Sequence, residues 1–594
     1  MSGQGAQIVM RRTAFALAVL LASAAPGVVL AQTAPAAPTR EELQGDRGVP
    51  QDQRASRLSV EGGFERGTCA LADPALAGVK VTFSRVRFEG LPGVDPAALD
   101  EAWAGLAGTE QPLSALCAVR DRAAAILRGR GFLAAVQVPP QRIEKGGEVR
   151  MDVLAAKLVD VQVRGRPGNA ERRIAAHLRQ LTSRPWFNVD EAERQLLLLR
   201  DLPGFDVRMT LRPAGTGRGE VIGDVSVRRR PVEIIVGGQN LGSRATGREG
   251  LMAQVALNDL TGMADQTTIS LFNTVQLKEQ TVVSIAHEFG LGADGLRLGG
   301  RLVYGHARPD IANGRFSSRT WIGAVQASYP FVRRQATNVE GAAGLDLVDQ
   351  AIDFGAARLS RDRLRVGWAR LSLATSDGLD QARPGYSLTE PRLGLSAEVE
   401  LRKGLAALGA SRPCQPLTQC LAPNVAISNL AANPQGALVR AEAEVQVRPL
   451  PGLAFVLHPR GQYSASQLLS FEQFTLGNYT TGRGYDPGAA QGDSGLGLSL
   501  EVRVGRKSPR EPGGVALQPY GFVDAGWAWT NDNGLTPERR LVSAGGGVRA
   551  RWGDHADVNL LIAVPLEKLP GQPQLGAARV LLTFSSRFVP WTSQ

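Results

Sequence analysis

From about residue 296 to 588 the chain repeats one pattern that few folds can satisfy. Strand-length segments carry an apolar residue at every second position, with glycine or polar and charged residues between. Leu393, Leu395, Ala397, Val399 and Leu401 alternate with Gly394, Ser396, Glu398 and Glu400, and Leu496, Leu498, Leu500, Val502 and Val504 with Gly497, Ser499, Glu501 and Arg503. A period of two is the strand period, one set of side chains to each face. Several runs reach the ~9–11 residues that a tilted strand needs to cross a bilayer. A soluble sandwich could hold the charged face in water, but one this long would split into domains, and no linker interrupts it. Only the first residues offer an apolar helical run, so a spanning form must close as a barrel. The expected fold is a membrane β-barrel of about 16 antiparallel strands over residues 231–594. The pattern asks for an even number and does not itself fix sixteen. Aromatic residues, 6% of the chain, are few for a barrel with full aromatic girdles.

The chain has 594 residues. Residues 1–31 read as a secretory signal peptide: Arg11 and Arg12, an apolar run from Ala14 to Leu21, then Val29-Leu30-Ala31 before Gln32. Residues 32–77 read as a linker with a short helix near Arg40 that could plug the barrel. The net charge of +11 is dispersed. Its one tight run, Arg228-Arg229-Arg230, is expected to be a solvated or headgroup-facing edge. Nucleic acid is a poor partner for an exported chain. Four cysteines suit an oxidising compartment: Cys414 and Cys420 bracket a short loop and are expected to pair, and Cys69 with Cys117 is the remaining pair, two buried thiols being the alternative.

Between the linker and the barrel the pattern is mixed. Residues 81–88 alternate as a strand. Asp95 and Pro96 open a helix carrying Leu99, Trp103 and Leu106, and Leu116, Val119, Ala123 and Leu127 make the apolar face of a second. Strands follow at 132–138 and 149–154. The order then repeats: a strand at 158–163, a helix through Ile174, Leu178 and Leu181, a helix capped by Asn188 with Glu191 set for a capping box, and strands at 205–211 and 221–227. Two α+β modules of order βααββ, 78–156 and 157–230, are expected.

Two short segments stand apart. Residues 476–485, LGNYTTGRGY, put Arg483 on a glycine-rich turn between Gly482 and Gly484, followed by Tyr485. Residues 522–526, FVDAG, put Asp524 alone among small and apolar residues. Phe522, Asp524 and Gly526 share one strand face. The other carries Val523, Ala525 and Trp527, which suit lipid. Asp524 should therefore face the bore, Gly526 leaving room for an approaching loop. Arginine suits a bidentate carboxylate contact, so Arg483 and Asp524 are read as a loop-to-wall ion pair. Glu501 is a further candidate lumen group.

Signal, linker, twin modules and long barrel together resemble the transporter half of two-partner secretion systems, the TpsB family of haemolysin secretion/activation proteins. The likeness covers nearly all of the mature chain. The modules resemble polypeptide-transport-associated (POTRA) domains; RGRGF at 128–132 resembles the helix-to-strand turn of the first. Asn240, Gly247, Asn258, Gly262 and Asp265 resemble the first barrel hairpin, and Tyr329-Pro330-Phe331 a recurrent strand segment. Gly482 to Tyr485 resembles the tip of the sixth extracellular loop, and Phe522, Asp524 and Gly526 the inner-wall motif it meets. The strand-like end departs from the family in carrying six residues past Phe588. The resemblance implies an outer-membrane, non-enzymatic, monomeric translocator with its modules in the periplasm. Its partners would be a secreted exoprotein and outer-membrane lipid or lipopolysaccharide. No cofactor, metal or nucleic acid is implied. The residues agree on chemistry: His287-Glu288 begins a zinc motif that fails at Leu291, and no phosphate-binding GxxxxGK[ST] loop occurs. The alternatives are a barrel-insertion factor of the same superfamily, which usually carries more such modules, and a passive porin, which lacks them.

Overall fold

The computed structural model describes residues 37–44, 58–60 and 69–593, less 166–167, 216, 218, 312–314, 378–384, 388, 415, 417, 419, 421–424, 512 and 570–571. The signal segment and most of the linker lie outside these. The described residues fall in one structural unit.

Among them, sixteen antiparallel strands, from Glu220–Gln239 to Arg579–Ser593, form a closed sheet. Each pairs with the next along the chain. The last closes on the first, from Thr583 opposite Gln239 to Ser593 opposite Arg229. Residues 589–593 are thus a continuation of the last strand and not a tail beyond it, because the first strand extends below the barrel rim and offers them an edge. Outward positions such as Leu302, Val325, Leu401, Val523 and Ile562 are exposed, while Glu400, Arg402, Glu501 and Asp524 on the alternate face are buried inside. A continuous apolar belt around a closed sheet needs lipid to cover it.

The bore is not hydrophilic throughout. On the side away from the modules, inward-facing Phe272, Val303, Ile322, Val348 and Leu364 pack with Cys414, Cys420, Ile427, Leu469 and Phe471 from two loops and with Leu43 from the helix Arg40–Gln44. The loops are 405–436 and 465–493. Alternation alone could not show this, since the outer ends of these strands are apolar on both faces.

The first module pairs Phe83–Glu89 parallel and Ala134–Gln137 antiparallel to Gly147–Ala155, under the helix Ala115–Gly129. Its other helical segment is not α-helix but the 3₁₀ turns Pro96–Ala102 and Ala104–Leu106. Asp95 still caps it, accepting from the Ala97 amide at 3.0 Å. Only Leu99 and Ala102 bury there, and Gly105 follows, so a longer i→i−4 ladder has little packing to sustain it. The second module repeats the plan: Lys157–Gly165 parallel and Phe205–Pro213 antiparallel to Glu220–Gln239, under Glu171–Thr182 and Val189–Arg200. Asn188 caps the latter from its side chain. Glu191 turns instead to Arg184, at 3.3 Å, leaving half a capping box. Leu58–Val60 adds parallel to Phe205–Pro213 as a further strand.

Glu220–Gln239 runs unbroken from module sheet into barrel. Arg228-Arg229-Arg230 therefore lies within a strand paired on both sides and is not a free edge. Arg229 donates to the Asp259 carbonyl at 3.0 Å, and Arg230 lies 3.8 Å from Glu233. The second module also grips the barrel rim directly. Asp201 takes two bonds of 2.6 Å from Arg333, Glu193 accepts from the Gln335 amide at 2.6 Å, and Arg173 and Arg194 donate to the carbonyls of Gly292 and Pro330.

Candidate functional site

The loop 465–493 leaves Leu453–Ser464 at the far rim, folds into the bore and returns to Ser494–Val504. Its glycines set the path. Gly482 has φ +112°, a conformation that strains other residues. A side chain at Gly484 would start 2.8 Å from the Pro565 nitrogen and 2.9 Å from Ser543 Cβ, so this tip lies flush against the wall. The Gly484 amide donates to Ser543 Oγ at 3.2 Å. The Tyr485 hydroxyl donates to the Val542 carbonyl at 2.8 Å and accepts from the Glu567 amide at 3.1 Å.

Arg483 reaches the wall built by Ser494–Val504 and Val515–Trp529, whose register sets Ser499 opposite Asp524 and Glu501 opposite Phe522. Its Nε and Nη2 donate to the two Asp524 oxygens at 2.9 and 2.6 Å, and its own amide donates to Oδ2 at 2.9 Å. Nη1 meets Glu501 at 2.5 Å and Nη2 meets Ser499 Oγ at 2.7 Å. The guanidinium lies 3.6 Å from the Phe522 ring centre, a cation–π contact. Phe522 in turn packs on Gly545, where a side chain would start 2.7 Å from the ring. Gly526 likewise leaves space for Leu476, 2.6 Å from where its Cβ would be. Asp524 is 1% exposed, and this loop tip covers it.

The structure thus brings together Arg483, Asp524, Glu501, Phe522, Gly526, Gly482, Gly484 and Tyr485. It joins Cys69 to Cys117 and Cys414 to Cys420 as disulfides, away from the tip. Sequence reasoning missed Arg503 and Arg549, which hold Glu501 from the other side at 2.7 and 3.0 Å, and Ser499. The signal was there in part: Ser499, Glu501 and Arg503 are spaced i, i+2, i+4 on one face.

Below the tip lie two adjoining chambers. One, of about 900 Å³, runs from Asp201 and Phe205 of the second module to Arg503 and Arg549. The other, of about 1110 Å³, is bounded by Glu340, Glu398, Glu442, Arg460, Arg483 and by Arg40 and Glu41 of the short helix. Asn338, Ala374, Ser396 and Glu444 line both. Thr475 of the loop donates to Glu41 at 2.8 Å, so the helix and the loop touch. Further contacts reach the barrel's closing strands: Asp486 to Arg579 at 2.8 Å, and Tyr479 to Gln239 at 2.5 Å. The arrangement is a polar passage blocked above by a loop that ion pairs hold in place. Among the described residues no cluster of three or more His, Cys, Asp or Glu is placed to hold a metal ion.

Residues 382–550 match the family model for the haemolysin secretion/activation protein ShlB/FhaC/HecB. Among solved structures, CdiB from Escherichia coli is similar over 87% of this chain and 92% of its own, at 17% identity and a TM-score of 0.68. CdiB from Acinetobacter baumannii is similar over 86% and 90%, at 14% identity and a TM-score of 0.61. No curated protein matches the chain. At these identities the structural likeness speaks to fold: a sixteen-stranded barrel behind an α+β region.

Proposed function

We propose that this chain, an outer-membrane β-barrel of the haemolysin secretion/activation family and so a two-partner secretion transporter, exports a large haemolysin- or adhesin-like exoprotein. The α+β modules act as periplasmic POTRA domains that capture the unfolded cargo, and the bore conducts it. One observation carries the reading: the haemolysin-secretion match spans the segment that supplies both the inserted loop and the Asp524 strand. Capture by strand addition is supported by Lys157–Gly165, which among the described residues pairs along one edge alone and leaves Val159 and Val163 exposed. Leu58–Val60 shows that an extended segment fits the opposite edge of the same sheet. The sequence carries no GxxxxGK[ST] loop, and cargo that folds outside and cannot slip back is the drive. Undiminished export of a folding-incompetent exoprotein would rule that out.

The test of the site is Arg483→Ala in cells making this chain together with a large exoprotein whose export requires it. The barrel should reach the membrane folded, migrating fast on gels when unboiled, while secretion falls at least tenfold. Secretion at the wild-type level removes the site from the mechanism.

A further inference from the structure

The loop enters the bore through the 3₁₀ turn Ser470–Glu472, eleven residues before Arg483 in the chain and against a different wall. Glu472 is 4% exposed. Its Oε1 and Oε2 lie 2.9 and 3.0 Å from Nη2 and Nε of Arg402, a bidentate pair, and Oε2 lies 2.8 Å from Nη2 of Arg440. Its carbonyl accepts from Gln462 at 2.8 Å and from Arg440 at 3.1 Å. Its neighbours Leu469 and Phe471 sit in the apolar cluster above. Backbone, carboxylate and flanking apolar groups are all fixed at one point of the wall.

That wall comprises Thr337–Phe354, Leu393–Gly404 and Ala437–Leu450, with Arg370 from the adjoining strand Ala357–Ser376. Arg402 is held by Asp346 at 2.7 Å and Glu400 at 3.1 Å. Arg370 takes Glu400 at 2.5 Å and Glu398 at 3.1 Å, and Arg440 lies 3.6 Å from Glu400. In these ion pairs three wall carboxylates, Asp346, Glu398 and Glu400, face three guanidiniums, Arg370, Arg402 and Arg440, and Arg301 acts on Asp346 and Arg370 beside them. Glu472 is the carboxylate that the loop supplies to this set. A buried pair that joins a loop to a wall is suited to register, more than to net stability.

We propose that Glu472 is a second positioning residue for the translocation loop, docking its entry limb on the Arg402–Arg440 wall as Arg483 docks its tip on Asp524. With both ends tied to different strands, the loop spans the bore at a fixed height, and the tip can meet Asp524 only while Glu472 is seated. The inference rests on the transport reading above for its consequence, but not for the docking itself.

The native cysteines among the described residues are all disulfide-bonded, so Thr475→Cys, a near-isosteric change at a buried loop position, can report docking by maleimide labelling of the full-length barrel in membranes. Adding Glu472→Gln should raise its labelling rate at least tenfold, while Asp353→Asn, which removes a far-rim carboxylate paired with Arg319, leaves it unchanged. Secretion by Glu472→Gln should fall at least fivefold. The double variant with Arg483→Ala should secrete no less than Arg483→Ala alone, since two anchors of one loop do not add, whereas separate damage to the barrel would. If Glu472→Gln loses its unboiled fold, Arg440→Gln makes the same test from the wall. Unchanged labelling overturns the docking claim whatever secretion does. Raised labelling with normal secretion overturns the positioning role. A wild-type chain that exports no exoprotein sinks the transport reading while leaving the labelling result to judge the dock.

Discussion

Removing Arg483 leaves two carboxylates behind, unequally provided for. Glu501 keeps Arg503 and Arg549. Asp524, 1% exposed, has no other ion-pair partner among the described residues. Stranding a buried charge costs about 3–5 kcal/mol, while Asp524→Asn leaves Arg483 with Glu501 and Ser499 and loses about 1–3 kcal/mol. Loop docking, followed by labelling at Thr475→Cys, should therefore loosen more in Arg483→Ala than in Asp524→Asn; the reverse order would refute this account of the pair. Both partners were legible in the sequence because each is a lone charge in a run of glycine and apolar residues. Arg503 and Arg549 were not, since any wet wall carries such charges. Glu472 bears the same mark as Asp524, an acid inside LLSFEQF. It stayed unread because its partner Arg402 lies 70 residues away on a strand whose charges look ordinary.

Elements were legible where the period was strong and uncertain where packing decides. The barrel strands follow from alternation. The helices Ala115–Gly129, Glu171–Thr182 and Val189–Arg200 follow from apolar faces that bury. The 3₁₀ form of Pro96–Ala102 did not follow, because a cap and a proline at the start say nothing of how little there is to pack on. The end of Arg579–Ser593 was misjudged because its edge partner is at the other end of the chain. Within the second module, His177 sits 2% exposed between the two helices, its Nδ1 2.9 Å from Gln195. Burial is the main force depressing its basicity, with Arg173 adding to it and the Gln195 bond and Asp294 opposing. A histidine held below its unfolded value, about 6.5, binds its proton more readily once unfolded. Stability is then intact above that value and lost as pH falls through it toward the depressed one. Protection against hydrogen exchange in Glu171–Thr182 of the full chain, corrected for the intrinsic pH dependence of amide exchange, should fall between pH 7.5 and 5.5, and His177→Gln should flatten the change. An equal loss of protection in both would remove His177 as its cause.

At the scale of the whole molecule the passage depends on a helix too short to hold itself. Arg40–Gln44 has five residues, well under the length at which an isolated helix persists. A reciprocal cap helps it: Thr39 Oγ1 accepts from the Glu42 amide at 3.2 Å and Glu42 Oε2 from the Thr39 amide at 2.8 Å. What holds it in the bore is Leu43, buried among Phe272, Val303 and Ile322, worth about 1.5–3 kcal/mol, and Glu41, which meets Thr475 and lies 3.7 Å from Arg460. Gly305 makes the seat, because a side chain there would overlap Leu43 Cδ2. The helix should therefore leave the bore when either half of that contact is spoiled. Leu43→Asp places a carboxylate in the apolar cluster, and Gly305→Val fills the seat from the wall while leaving the helix's own residues unchanged. Both should raise single-channel conductance in planar bilayers several-fold over the wild type. Because the helix lies against the loop beside Thr475, its departure should uncover that position and speed labelling at Thr475→Cys, though less than Glu472→Gln does, since the Arg402 dock remains. Wild-type conductance in both variants would mean that the loops 405–436 and 465–493 close the barrel without the helix, and that its place in the bore is incidental to the gate.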